Sequence, residues 1–310
     1  MNPAFSVIFL TTLIGLGQGL YLFLVITKAV THDTPQQFFL VGALVSVGLL
    51  MAGLIASFFH LGRPERAWRA ISKWKTSWLS REVIILPATM LTILIYGGLH
   101  WQPFASQSMI GYLGWIGVFL TILLFVCTAM IYACIKFLQE WASPLTVLNF
   151  ILLGCLSGGL AGLALLEFFS SKTVLLLNYY VLTLFIIALI GKLAAFFRNA
   201  RIKHRSNIQS AIGIKHRKIT QRSMGFSGGS FNTRAFFHHC SSKLIANMRL
   251  VVLAMVFVIP FLFFLAFLLN TNTAMLIIAL TIQYLGLVAE RWLFFTQANH
   301  PQNLYYQTVG

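Results

Sequence analysis

Eight long runs of apolar residues alternate with short polar segments along the chain. Each run has about 20 residues or more, the length that an α-helix needs to cross the hydrocarbon core of a bilayer. Lipid offers the backbone no hydrogen-bond partner, so each run is expected to be helical. The pattern predicts spans at about 5–27, 37–60, 82–101, 109–137, 143–169, 173–197, 247–269 and 273–296.

The composition supports a membrane protein. Hydrophobic residues make up 58% of the chain and charged residues only 9%, against about 25% charged in soluble domains. The first apolar run lacks a basic leader and is long enough to remain as a span, so no cleavable signal peptide is expected. The predicted fold is all-α: a polytopic bundle of eight transmembrane helices, a single anchor domain over 1–310, with one basic extramembrane loop at 198–246.

Lysine and arginine are distributed unevenly between the loops. With eight spans both termini lie on one side, and all basic residues except Lys28 and Lys172 fall on that side. Because positively charged loops stay in the cytoplasm, both termini are predicted to be cytoplasmic, in a bacterial inner membrane. The net charge of +16 then reflects topology and a surface for anionic lipid or an acidic partner. No motif indicates binding to nucleic acid.

The cysteines and histidines do not predict a metal or haem site. The four cysteines show neither a Cys-x-x-Cys pair nor the ligand spacing of a zinc or iron–sulfur site. A bis-histidine haem needs two histidines at similar depth on facing helices, whereas His60 and His100 end spans that run in opposite directions. Metal and cluster chemistry is therefore expected in a partner protein.

The segment between the second and third spans carries the candidate chemistry. His60 ends the second span and Glu82 begins the third, so both are expected at the same membrane face. Quinol oxidation releases two protons with two electrons. A neutral imidazole can accept a hydrogen bond from the quinol hydroxyl, and a carboxylate can carry the proton onward. His60 and Glu82 thus form a candidate quinol-oxidation site; the alternative is that Glu82 only stabilises a helix start capped by Ser80.

Other charged residues are secondary candidates for the same site. Arg63 and Arg81 lie between His60 and Glu82 in sequence and are expected to orient the quinol head group. Glu290 and Arg291, near the end of the last span, are weaker candidates for supporting the site.

The basic segment 198–246 contains a stretch rich in glycine and serine, which argues against a regular helix there. It also contains four phenylalanines, more aromatic residues than a solvated linker carries. A loop that folds against a partner protein is predicted, with lipid-surface contact as the alternative. The residues expected among its partner contacts are Phe226, Phe231 and Arg234.

These residues together resemble the membrane-anchor subunits of the dimethyl sulfoxide reductase family. The opening segment 2–6 and the closing segment 289–292 are similar to members of this group, so the resemblance covers nearly the whole chain. It depends most on two motifs, His60-Leu61-Gly62-Arg63-Pro64-Glu65-Arg66-Ala67 and Leu79-Ser80-Arg81-Glu82.

The resemblance implies a complex of three subunits that serves anaerobic respiration. A molybdopterin catalytic subunit would reduce the terminal acceptor, and a ferredoxin-like subunit with four iron–sulfur clusters would carry electrons to it. The anchor would bind menaquinol or ubiquinol, with the quinol-site histidine and glutamate at His60 and Glu82, and the 198–246 loop would dock the iron–sulfur subunit. Well-known members hold their catalytic subunits in the periplasm, whereas the charge distribution here predicts partner subunits on the cytoplasmic side.

Two other functions fit a chain with eight spans. A scaffold could tether soluble subunits without contacting quinol. A transporter would be favoured by an inverted repeat or several charges at mid-membrane depth, and neither is evident in the sequence.

Overall fold

The regular structure of the chain is helical in the computed structural model, which describes residues 1–31, 33–102, 104, 106–169, 175–203, 205–220 and 240–306. Within these ranges, eight helices are long and apolar enough to cross a membrane, so the predicted polytopic all-α fold is confirmed. The helices are α1 (Phe5–Val30), α2 (Gln36–Phe58), α3 (Trp78–Trp101), α4 (Gln107–Ala133), α5 (Pro144–Phe169), α6 (Leu175–Ala200), the short α7 (Ile208–Ile212), a seventh span built from α8 (Ser242–Leu253), a π-helical turn (Ala254–Val258) and α9 (Ile259–Asn270), then α10 (Thr273–Thr296) and the short α11 (Asn303–Tyr306); a 3₁₀ helix covers Pro64–Lys73.

The start of α3 differs from the sequence prediction. The helix begins at Trp78 because Ser77 is the N-cap, and its Oγ accepts a hydrogen bond from the Ser80 backbone N–H at 3.3 Å. The expected cap at Ser80 is therefore wrong, since Ser80 is buried inside the helix. Glu82 consequently lies one turn into the helix instead of at its first residue.

Other boundaries shift by a few residues. Helix α4 ends at Ala133, four residues before the predicted end at 137. The chain then turns through 134–143 into α5. The Trp141 side chain holds this turn against α10 by donating a hydrogen bond from Nε1 to the Phe294 carbonyl at 2.8 Å. The basic loop is shorter than 198–246, because α6 continues to Ala200 and α8 already begins at Ser242.

Both ends of the chain lie at one face of the bundle. The eight spans alternate in direction, so this terminal face also carries the segments 59–77 and 134–143 and the residues that directly follow α6 and precede α8. The α-amino group of Met1 donates hydrogen bonds to the carbonyls of Thr296 at 3.2 Å and Ala298 at 2.8 Å. The start of the chain is thereby fixed to the end of the last span.

Helix α1 is the central helix and packs against α2, α4, α5 and α10. Its contact with α5 is exceptionally close, since a Cβ atom on Gly158 would lie 2.0 Å from the carbonyl carbon of Gly19. Small residues allow such backbone approach in lipid, where close van der Waals packing drives helix association. The glycines of α5 therefore have a packing role at the centre of the bundle.

We expect Gly158→Leu to destabilise the bundle, because the new side chain would overlap the backbone of α1. The loss in free energy of unfolding should reach the upper end of the roughly 1–3 kcal/mol that overpacking costs, measured by thermal unfolding of the detergent-solubilised protein. Gly48→Leu in α2 is the matched control, since nothing lies within 4 Å of a Cβ there. Equal stability of the two variants would contradict this account of α1–α5 packing.

The seventh span is interrupted where it meets α10. Pro260 lacks the N–H that would continue the helical ladder, and the preceding residues Ala254–Val258 form a π-helical turn. Gly286 of α10 faces this turn, where a Cβ would lie 2.7 Å from the carbonyl carbon of Met255. This close fit fixes α10, the helix that carries Glu290 and Arg291.

Candidate functional site

A cavity of about 320 Å³ lies at the terminal face, and both His60 and Glu82 line it. We call it the His60–Glu82 cavity. The chain brings the two residues together because α2 ends and α3 begins at this face. The N-terminal residues 1–4 form part of its wall, and the remaining lining is mostly apolar and aromatic, including Leu79, Tyr132, Trp141 and Phe295.

Glu82 is a buried carboxylate in the wall of this cavity, with only 5% of its surface exposed. Its Oε1 accepts a hydrogen bond from Thr128 Oγ1 on α4 at 2.5 Å. Among the described residues, no lysine or arginine forms an ion pair with it. A carboxylate without a cationic partner is costly within a membrane and is commonly functional.

His60 lies at the rim of the cavity, just after the last turn of α2. Partial burial lowers the pKa of its imidazole below the usual value of about 6.5. The ring is therefore neutral at pH 7, with one nitrogen able to donate a hydrogen bond and the other able to accept one.

Arg63 and Arg81, which lie between His60 and Glu82 in sequence, do not line the cavity. Arg81 instead joins the 59–77 segment to α3: its Nε donates to the Trp74 carbonyl at 2.9 Å and its Nη2 to the Lys75 carbonyl at 2.8 Å. Its guanidinium also lies 4.3 Å from the ring centre of Trp78. Arg63 is exposed immediately before the 3₁₀ helix. The geometry gives neither arginine contact with a head group in the cavity.

Glu290 and Arg291 belong to a separate group of buried charges. Lys192 of α6 forms an ion pair with Glu290 Oε1, and Arg291 Nη1 lies 3.0 Å from Glu290 Oε2. The guanidinium of Arg291 also lies 3.7 Å from the ring centre of Phe150. We call Lys192, Glu290 and Arg291 the buried ion cluster; their exposed fractions are 3%, 1% and 4%. None of the three lines the His60–Glu82 cavity.

Removing the acid from this cluster should destabilise the protein more than removing the lysine. Glu290→Met leaves two buried cations without compensation, which costs about 3–5 kcal/mol for a broken buried pair. Lys192→Met leaves Glu290 and Arg291 as a neutral pair and should cost less. Thermal unfolding of the solubilised variants tests this order, and the reverse order would show that Lys192 and not Glu290 is central to the cluster.

Several site residues carry little signal in the sequence. Thr128 is a single hydroxyl in an apolar helix; the one clue is its seven-residue spacing from Thr121, which places both buried threonines on the same face of α4. Tyr132 lies in the last turn of α4, and Trp141 reaches the cavity from the turn at 134–143, which sequence periodicity does not resolve.

The remaining sequence expectations can be located in the structure. His100 is buried near the end of α3 opposite the terminal face, stacked on Phe39 with ring centres 4.2 Å apart, so it is far from His60 along the membrane normal. Among the described residues, no group of three His, Cys, Asp or Glu side chains could hold a metal ion. Phe226, Phe231 and Arg234 lie outside the described residues, and their proposed contacts stay a prediction.

Comparison with known proteins identifies the family. A sequence model of the DMSO reductase anchor subunit (DmsC) matches residues 1–297. The chain is also 49% identical over 326 aligned residues to a sulfite dehydrogenase subunit from Allochromatium vinosum, covering 100% of both chains. The anchor-type motifs at His60 and Glu82, the eight spans and these two matches agree. The chain belongs to the DMSO reductase anchor subunit family.

Proposed function

We propose that this anchor subunit exchanges two electrons and two protons with a membrane quinone at the His60–Glu82 cavity. The observation that carries the proposal is a buried carboxylate without a cationic partner in the described part of the chain, next to a rim imidazole in the same cavity. Family membership implies association with a molybdopterin catalytic subunit. The anchor is then the subunit at which the electrons of that complex enter or leave the membrane.

The residues present fit a quinone head group. Small-molecule pockets are mostly apolar, with a few placed polar groups and volumes from about 300 Å³ upward. The cavity of about 320 Å³ has aromatic walls from Tyr132, Trp141 and Phe295, and the polar groups of His60 and Glu82. A planar ring with two oxygens requires this combination of apolar wall and hydrogen-bonding groups.

The relative from Allochromatium vinosum favours electron flow toward the quinone. A sulfite dehydrogenase withdraws electrons from sulfite, and the relative with that name matches this chain over its full length. We therefore propose that the catalytic partner oxidises sulfite and that the quinone is reduced at the anchor. Quinol oxidation, the direction expected from the reductase resemblance, uses the same residues in reverse.

Each polar residue then has a defined task. Bound quinone accepts two electrons and takes up two protons. Glu82 in its acid form supplies one proton from the carboxyl oxygen not bonded to Thr128, and the Thr128 hydroxyl keeps the side chain fixed by donating to Oε1. His60 at the rim holds the other quinone oxygen by a hydrogen bond, and its imidazolium form, protonated from the water at the rim, supplies the second proton.

The test is electron transfer by the purified complex. With sulfite as donor, the intact complex should reduce a short-chain quinone analogue, while the same complex without this anchor should reduce only a soluble dye. Quinone reduction that does not depend on the anchor would show that the chain is a scaffold. If sulfite reduced neither the quinone analogue nor the dye, and the same complex oxidised quinol, electron flow from quinol to the catalytic subunit would be established.

We also propose that the partner subunits, including an iron–sulfur subunit, dock at the terminal face. That face carries the basic 3₁₀ segment and the start of the 201–241 loop, where α7 packs against α11 near the chain end. Deletion of 205–240, which contains Phe226, Phe231 and Arg234, should release the iron–sulfur subunit. Unchanged co-purification would refute docking by this loop.

The charge distribution supports a cytoplasmic terminal face in the inner membrane. Reporter fusions at the C-terminus test this orientation. A reporter that works only in the cytoplasm should be active at this position. Activity of a reporter that works only in the periplasm would show that the orientation is the opposite one.

A further inference from the structure

We propose that the buried ion cluster and the polar groups beside it form a proton route between Glu82 and the water at the terminal face. This inference rests on the proposed function, because the route delivers one of the two protons that quinone reduction consumes. It assigns a role to Lys192, Glu290 and Arg291, which do not line the quinone cavity.

Three cavities form a continuous series through shared lining residues. Thr11 and Thr128 line both the His60–Glu82 cavity and a small cavity of about 10 Å³. Arg291 and Phe150 line both this small cavity and a third cavity of about 20 Å³. The third cavity also contacts Lys192 and Glu290. Each cavity is therefore separated from the next only by the side chains that the two cavities share.

The middle cavity is small, and buried polar side chains form part of its otherwise apolar lining. Its lining includes Thr12, Gln18 and Ser157, all at most 4% exposed. A cavity of about 10–15 Å³ is the smallest that holds one water, which needs two to four polar partners. Hydroxyl groups at this density can pass a proton through one bridging water.

The third cavity reaches the terminal face. Among the residues that line it, Ser143 immediately precedes α5, Asn199 lies in the last turn of α6 and Gln297 is the C-cap of α10. Arg198 also lines it and donates from Nη2 to the carbonyls of Gln139 at 2.9 Å and Ala142 at 3.2 Å. The cluster is therefore connected to the same side of the membrane as the chain ends.

A purely structural clamp between α6 and α10 would not need this arrangement. Buried ion pairs are weak contributors to stability, and apolar side chains of similar volume often replace them without loss. Intramembrane ionisable residues are typical of proton relays. Here the acid and the lysine of the cluster contact one cavity, and the arginine also lines the next cavity toward Glu82, as a relay requires.

Each quinone reduced takes two electrons from the redox centre of the partner subunit, which is oxidised, and two protons. Glu82 gives one proton and is left as a carboxylate. The His60 imidazolium gives the other and is reprotonated directly from water, because His60 is exposed at the rim. A proton then moves from the terminal-face water through the Lys192–Glu290 pair and the hydroxyl-lined cavity to restore the acid, while Arg291 keeps its charge throughout.

The experiment uses the intact complex carrying Glu290→Gln. We expect binding of a quinone analogue to change less than about twofold and quinone turnover to fall by about tenfold or more, as expected for loss of a proton-transfer group. A small weak acid such as formate or azide should restore part of the turnover by carrying protons directly. A residue that only holds helices together would not be rescued in this way.

The matched control is Glu167→Gln, which removes a carboxylate from the far end of α5 and should leave turnover unchanged.

If Glu290→Gln fails to assemble, Thr12→Val and Thr12→Ser test the middle cavity with nearly the same side-chain volume. The serine variant should retain turnover and the valine variant should lose it, with rescue by weak acid. The route would be overturned if turnover stayed within twofold of wild type in the Thr12→Val variant or in an assembled Glu290→Gln complex. A loss of turnover that weak acid does not relieve would overturn it as well. If the wild-type complex did not bind the quinone analogue, the proposed function itself would be refuted.

Discussion

Glu82→Gln should lower quinone-linked turnover of the assembled complex by about 10²–10⁴-fold, the usual contribution of a positioned acid or base. The amide keeps the size of the side chain and can still accept the hydrogen bond from Thr128, but it cannot release or bind a proton at neutral pH. Dye-linked oxidation by the catalytic subunit should be unchanged. The measurement is the ratio of quinone to dye activity in the same preparation.

Glu65→Gln is the matched control for this substitution. Glu65 is an exposed carboxylate of the same segment and lies 3.8 Å from Arg66, so its removal should leave the quinone-to-dye ratio unaltered. A normal ratio in Glu82→Gln would reduce Glu82 to a residue that stabilises the start of α3. An equal fall in both activities would indicate loss of assembly.

His60→Gln should produce the second large effect, a fall in quinone turnover of about 10²-fold or more together with a changed pH profile. Burial holds the pKa of His60 below about 6.5, so the imidazole gains its proton only as the pH falls through that lowered value. The cation donates a proton and the neutral ring accepts one. In the wild type, quinone reduction should therefore rise, and quinol oxidation fall, in this acidic range.

The glutamine variant should lose this acidic limb, because its amide does not titrate. Steady-state rates measured from pH 5 to 8, with dye activity measured at each pH as the control, show whether the limb is present. An identical limb in wild type and His60→Gln would assign the titration to another group. His60 would then be a rim residue without a role in proton transfer.

Most of the fold could be predicted from the sequence, because bilayer thickness imposes strong limits on helix length and composition. All eight spans lie where the apolar runs predict them. The errors are at helix ends, because side-chain caps determine the residue at which a helix begins. The Ser77 cap moves the start of α3 to Trp78. This small shift places Glu82 one turn inside the helix, in contact with Thr128 and away from the lipid surface.

The site could be predicted only in part. Chain direction alone places His60 and Glu82 at one face, since each lies next to the same connecting segment. The partners of Glu82 depend on how α4 packs against α3, which periodicity does not specify, so Thr128 was not predicted. The contacts of Arg81 could not be predicted for a similar reason, because they depend on how the 59–77 segment brings the Trp74 and Lys75 carbonyls to its guanidinium.

The buried ion cluster shows the same limit of sequence reasoning. Glu290 and Arg291 are visible in the last span, but Lys192 is only one basic residue near the end of another helix. The packing of α5, α6 and α10 brings Lys192 and Glu290 together and directs the cluster away from the quinone cavity.

Photolabelling with a reactive quinone analogue tests the central claim most directly. The intact complex is illuminated with the analogue, digested and mapped by mass spectrometry, with excess unreactive quinone as competitor. We expect competable label on the peptides that line the cavity, those containing residues 1–11, His60, 79–82, 128–141 and Phe295, and weaker label in His60→Gln. Competable label confined to other helices, or to the partner subunits, would contradict a quinone site at His60 and Glu82.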